Sequence, residues 1–162
     1  MPATYEPIAT TTLSSSATTV TFSSISGSYT DLRLVLVGTS DSGNVYIQFN
    51  NDTATNYSMT RLDGNGSSTV TVNQASLSEC RLYNMLTSTP SLHTLDIFSY
   101  AGSTNKTLFA TTQADNNGSG SIRYYVQLWK NTAAITSIKL FYYSGTGFNA
   151  GTTITLYGIT KA

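Results

Sequence analysis

Apolar and polar residues alternate along most of this chain, most plainly in three segments near its end: Ile122–Lys130, Ile135–Tyr143 and Thr152–Thr160. In the first, Ile122, Tyr124, Val126 and Leu128 fall on one side, and Arg123, Tyr125, Gln127 and Trp129 on the other. Ile138, Leu140 and Tyr142 alternate with Lys139, Phe141 and Tyr143, and Ile154, Leu156 and Gly158 with Thr155, Tyr157 and Ile159. Successive side chains on a strand point to opposite faces, so a period of two predicts β-structure with one face on a core. β-Branched and aromatic residues suit such a pleated surface. Short Gly/Ser/Thr/Asn connections predict that the three segments form an antiparallel meander. One of its faces is aliphatic. The other carries Tyr125, Trp129, Phe141, Tyr143 and Tyr157, too much ring surface to leave in water without a reason. Two readings stay open for these rings: contact with another molecule, or packing as a second core face.

The rest of the chain repeats the theme. Ile8–Leu13 and Thr18–Ser23 read as strands, and Asp31–Gly38 as a strand buried on both faces over part of its length. Val45–Asn50 follows, with Val45, Ile47 and Phe49 inward, and then Tyr57–Leu62. Asp63-Gly64-Asn65-Gly66 is the strongest hairpin signal, since Asp-Gly and Asn-Gly supply the positive φ angles that tight hairpins need. Thr69–Val72, Leu92–Tyr100 and Lys106–Gln113 complete the set, while Ala75–Met85 fits a strand or one or two helical turns. About ten short strands with turns every eight to twelve residues predict an all-β fold. An antiparallel two-sheet sandwich of jelly-roll type is the first choice and an immunoglobulin-like sandwich the second. Residues 1–16 read as an N-terminal arm with the first strand, and residues 17–162 as a single β-sandwich domain.

Composition narrows the function. Charged residues make up 10% of the 162, with eight basic and eight acidic side chains and no net charge. A nucleic-acid binder needs surplus positive charge to displace counterions, so nucleic acid is not an expected partner. Zero net charge also removes the repulsion that keeps proteins apart, which favours assembly. No run approaches the roughly 18 apolar residues of a membrane helix, so no membrane partner is expected. The first residues lack a basic region followed by an apolar run, so no secretory leader is expected. Cys80 is the single cysteine and reads as a small buried hydrophobe.

Reaction chemistry is hard to assemble from this chain. Nucleophilic catalysis needs a base beside the nucleophile. The single histidine, His93, lies on a predicted strand, where a surface or satisfied core role is the ordinary one. Asp41, Asp52, Asp63 and Asp115 sit in turns, where Asp serves the backbone. One Cys and one His do not build a zinc site, and the Asp/Asn/Gly turns lack the closing Glu of a calcium loop. The expectation is a protein with no catalytic residues, metal or cofactor.

The start of the chain (Thr4–Leu13, then Val20–Ile25 and Tyr29–Leu32), the Phe49–Thr53 and Asn56–Ser58 stretches, Trp129 before Ala133–Ile138, and the ending Gly151–Ile159 together resemble small β-rich virion proteins of tailed bacteriophages, notably those of cyanobacterial hosts. The resemblance implies a virion structural protein made in the host cytoplasm. Two roles follow from it. One is a capsid decoration or cement protein, a jelly-roll homotrimer bound to the major capsid protein. The other is a receptor-binding module of a tail or head fibre that holds a host glycan. The residues expected at a subunit or partner interface are Tyr5, Ile8, Tyr125, Trp129, Phe141, Tyr143 and Tyr157.

Overall fold

The computed structural model describes residues 4–41, 43–83, 85–115 and 117–160; Met1–Ala3 of the expected arm lie outside them. The described residues form twelve strands and no helix: β1 (Tyr5–Thr12), β2 (Thr19–Phe22), β3 (Asp31–Gly38), β4 (Asn44–Phe49), β5 (Tyr57–Gly64), β6 (Thr69–Leu77), β7 (Cys80–Tyr83), β8 (Ser91–Ile97), β9 (Lys106–Ala114), β10 (Ser121–Trp129), β11 (Ile138–Phe141) and β12 (Thr153–Ile159). They build an antiparallel two-sheet sandwich of jelly-roll type. The larger sheet has the order β1-β12-β3-β8-β9-β10-β5-β6, and the smaller β2-β11-β4-β7.

The core lies between the layers. The large sheet contributes Leu32, Leu34, Leu36, Leu95, Ile97, Leu108, Ile154 and Leu156, and the small sheet Val45, Ile47, Phe49, Cys80, Leu82, Ile138 and Leu140, all fully buried. Val45, Ile47 and Phe49 face inward as their alternation predicts. A glycine is required at 158, because a Cβ there would lie 2.3 Å from the Tyr29 ring. The predicted hairpin joins β5 to β6. Gly66 takes φ +83°, and the Asn65 side-chain oxygen accepts the N–H groups of Ser67 and Ser68 at 3.0 and 2.8 Å.

Two expectations change, and two open readings become specific. The three C-terminal segments are not a meander: β10 pairs with β5 and β9, β12 with β1 and β3, and β11 lies in the other sheet between β2 and β4. Strand β3 is buried on one face only, with Val37 43% exposed on the other. The ambiguous stretch from Ala75 is the end of β6 followed by β7. The first strand expected within residues 1–16 runs Tyr5–Thr12 and is an edge strand paired with β12.

Candidate functional site

In β10 the aromatic side points inward. Tyr125 and Trp129 are fully buried and Gln127 nearly so, whereas Ile122, Tyr124 and Val126 stand 38%, 43% and 55% exposed. The cause is hydrogen bonding across the sandwich. The Trp129 indole N–H donates to Asp52 Oδ2 at 2.8 Å. The Arg81 N–H donates to Gln127 Oε1 at 2.9 Å, and Gln127 Nε2 donates to the Arg81 carbonyl at 3.1 Å. The Tyr83 N–H donates to the Tyr125 hydroxyl oxygen at 3.0 Å. Strand β7 is the edge of the small sheet, so these side chains satisfy backbone groups that would otherwise be buried and unpaired. Polar groups with interior partners are worth burying, and the partnerless aliphatic side is left outside.

The open face of the large sheet therefore carries an apolar strip. Val126 pairs across the strands with Phe109, and Tyr124 with Leu62. The Phe109 and Tyr124 rings stack with centroids 6.2 Å apart. Ile122 continues the strip into a depression of about 590 Å3 lined also by Leu92, Pro90 and Gln113. The flanking side chains are Thr60, Thr71, Asn73 and Thr111, all neutral, and Asp96, which stands opposite Phe109 on β8. At the far end of the same face, Tyr5 and Tyr157 pair at 5.3 Å beneath Arg33, whose guanidinium is tied to Asp96. The Asp96 hydrogen bond, against some cost of burial, raises the Arg33 pKa further above its already basic range.

A second cluster sits on the outer side of the small sheet. Tyr143, 63% exposed, packs edge-on against Tyr46 at 4.5 Å and Phe141 at 5.2 Å. Lys139 lies over the Phe141 ring and Arg81 over Tyr46. Buried Glu79 is the hub: Tyr143 Oη donates to its Oε2 at 2.8 Å, Arg81 Nη2 lies 2.7 Å from its Oε1, and the Ser78 hydroxyl also donates to it. Burial works against the charged carboxylate, but Ser78, Tyr143 and Arg81 outweigh it and hold the Glu79 pKa below its usual value.

The seven expected interface residues thus lie in four places. Tyr5 and Tyr157 are on the open face; Ile8 is half-buried against the core; Phe141 and Tyr143 are on the small sheet's outer side. Tyr125 and Trp129 are core residues, a correction to their placement at a surface: both carry polar tips that find partners inside. Leu62, Phe109, Ile122, Tyr124 and Val126 were missed, although the alternation of their strands sets them on one side.

The acids hold the fold. The Asp41 carboxylate accepts the Thr146 and Gly147 N–H groups, and the Thr146 hydroxyl, the largest cause, lowers its pKa. Asp115 accepts the Gly118 N–H at 2.8 Å, and Asp63 lies 2.6 Å from Arg61 Nε and 3.3 Å from Arg123 Nε. Cys80 is buried and its thiol pKa is pushed up by burial. Among the described residues, no group of three or more His, Cys, Asp or Glu could hold a metal ion.

No family model and no curated protein matches the sequence. Among solved structures, the chain is similar to the galectin LEC-6 of Caenorhabditis elegans, at a TM-score of 0.36 and 16% identity over 91% of this chain and 94% of that one. It is also similar to the SPRY domain of human HERC1, at a TM-score of 0.21 and 8% identity over 80% and 86%. A third likeness, to a structure of infectious bursal disease virus, has a TM-score of 0.11 and 12% identity over 95% of this chain and 42% of that one.

Proposed function

We propose that the protein is a structural component of a bacteriophage virion, a decoration protein that docks on the outside of the capsid through the open face of its large sheet. The observation that supports this reading is the uncharged apolar strip of Leu62, Phe109, Ile122, Tyr124 and Val126. Contiguous exposed apolar surface of this kind marks interaction sites. Apolar area removed from water contributes roughly 25 cal/mol per Å2, and the contact repeats at every copy on a shell, so a modest interface resists internal pressure. The resemblance to phage virion proteins supplies the partner, the major capsid protein. Retention on purified particles tests the reading. Val126→Lys sits at an exposed position and is expected to change stability by no more than about 0.5 kcal/mol. It is expected to cut retention on the capsid roughly tenfold, the equivalent of about 1.4 kcal/mol. Full retention of the variant, or antibody labelling confined to the tail, overturns the proposal.

The Tyr143 cluster favours a second reading, in which the chain is a glycan-binding module. An exposed ring flanked by Arg81, Glu79 and Lys139 offers a stacking platform with donors and acceptors at its rim. Tyr143→Ala is expected to abolish saturable binding on a glycan array while leaving the circular dichroism unchanged. Absence of any binding by the unsubstituted chain removes this reading.

A further inference from the structure

The sandwich has four edge strands, and three are closed. Strand β1 carries Glu6, Pro7 and a register break between Pro7 and Ala9, each of which disfavours pairing with another chain. Strands β2 and β7 are four residues each, and the Arg81 and Tyr83 backbone of β7 is already bonded to Gln127 and Tyr125. Strand β6 is different. It has nine residues, Thr69–Leu77, with no charge and no proline, and its exposed positions include Thr69, Val70, Thr71 and Asn73. It pairs regularly with β5 from Gly64/Thr69 to Met59/Gln74, and only beyond that does a register break and the left-handed Ser76 (φ 55°) distort it. A long, regular, uncharged edge presents a row of backbone donors and acceptors ready for another strand.

We propose that β6 pairs antiparallel with β6 of a second copy of this chain, joining two eight-stranded sheets into one continuous sheet. The choice of partner follows from the side chains. A two-fold antiparallel pairing centred on Thr71 sets Thr71 against its own image and each flanking residue against one on the far side of the axis, and with no charge on β6 every such pair is neutral. The alternation sets Thr69, Thr71 and Asn73 on the open face, where Thr71 meets Thr71 of the partner subunit and Thr69 meets Asn73 of the partner subunit, and Val70 and Val72 on the other, where each meets the other's copy. The fold already uses this chemistry between its own strands: Thr10 bonds Thr155 at 3.1 Å, Thr12 bonds Thr153 at 3.0 Å, and Thr94 bonds Thr111 at 2.8 Å. The absence of net charge on the whole chain removes long-range repulsion between copies. The contact is independent of the partner proposed for the open face, and it is two-fold where the resemblance implies a threefold assembly.

Sedimentation velocity of the full chain over a range of micromolar concentrations tests the pairing. The expected species has twice the 17.4 kDa chain mass. Thr71→Lys and Thr71→Glu each place like charges across the two-fold axis, and each is expected to raise the dissociation constant roughly tenfold or more. An equimolar mixture of the two is expected to restore the dimer, because the charges then complement one another. That recovery distinguishes a lost contact from a misfolded strand, and the double variants Thr69→Lys/Asn73→Lys and Thr69→Glu/Asn73→Glu repeat the test at the two flanking pairs. A monomer or trimer of the unsubstituted chain, or a dimer indifferent to both pairs of variants, overturns the proposal.

Discussion

Trp129→Ala is expected to lower the unfolding free energy by about 3–5 kcal/mol, the cost of truncating a large buried aromatic side chain. The indole is fully buried between Phe49 and Tyr57, with ring centroids 5.5 and 6.3 Å away. Its N–H also anchors Asp52, which accepts bonds from the Ala54 N–H at 2.9 Å and Asn56 Nδ2 at 3.0 Å. The Tyr57 hydroxyl donates to the Asp52 carbonyl and accepts the Phe49 N–H, both at 3.1 Å. One ring therefore ties the end of β10 to the loop joining β4 and β5, where Asn50 and Asn51 both hold positive φ. Stabilities of small domains are about 5–15 kcal/mol, so the loss is a large share of the total. Trp129→Phe keeps most of the packing and loses the N–H bond, for an expected cost nearer 1–2 kcal/mol. Urea unfolding followed by circular dichroism measures both. A loss below about 1 kcal/mol for the alanine variant contradicts a core role for this residue.

Stability is also expected to fall by about 2 kcal/mol between pH 7 and pH 5, through the single histidine. His93 is fully buried on the inward face of β8, opposite Leu36 and Thr112, and neither ring nitrogen has a hydrogen-bond partner among the described residues. Burial, with Arg123 as the nearby like charge, pulls its pKa down to about 3. The unfolded chain titrates near the ordinary value of about 6.5. Between those values the unfolded chain takes up a proton that the folded chain refuses, so the contribution is complete above pH 6.5 and is lost as the pH falls through the window. The slope approaches about 1.4 kcal/mol per pH unit. Glu79 and Asp52, whose pKa values are also lowered, add to the loss only at lower pH. His93→Leu, with no group to protonate, is expected to flatten the profile between pH 7 and 5. A flat profile in the unsubstituted chain, or a slope that survives in His93→Leu, refutes the assignment.

The alternation in the sequence located most of the strands well. Val45, Ile47 and Phe49 point inward as read, and Asp63–Gly66 makes the hairpin that its residue types demand. The reading of β10 as aliphatic side against aromatic side was right about the period. It could not tell which side met the other sheet, because that depends on whether Tyr125, Gln127 and Trp129 have partners there. Those partners are the Tyr83 and Arg81 backbone groups and the Asp52 carboxylate, from 42 to 77 residues away in the chain. The meander failed for a related reason. Short connections favour neighbouring strands, yet Ile138–Phe141 crosses to the small sheet and pairs with Thr19–Phe22. The open-face strip was hidden with it, since Ile122, Tyr124 and Val126 were set on the aliphatic side that a core ordinarily claims.

Local chemistry alone determined that this chain is all-β, where its turns fall and which residues share a face of each strand. These are properties of the pleat and of Gly, Asn and Asp backbones, and they need no distant neighbour. Only the folded molecule decided which face is buried, which strands are neighbours and which edge stays open. Each of those depends on hydrogen-bond partners and packing surfaces brought together from remote parts of the chain, as in the pairing of the first strand with the last.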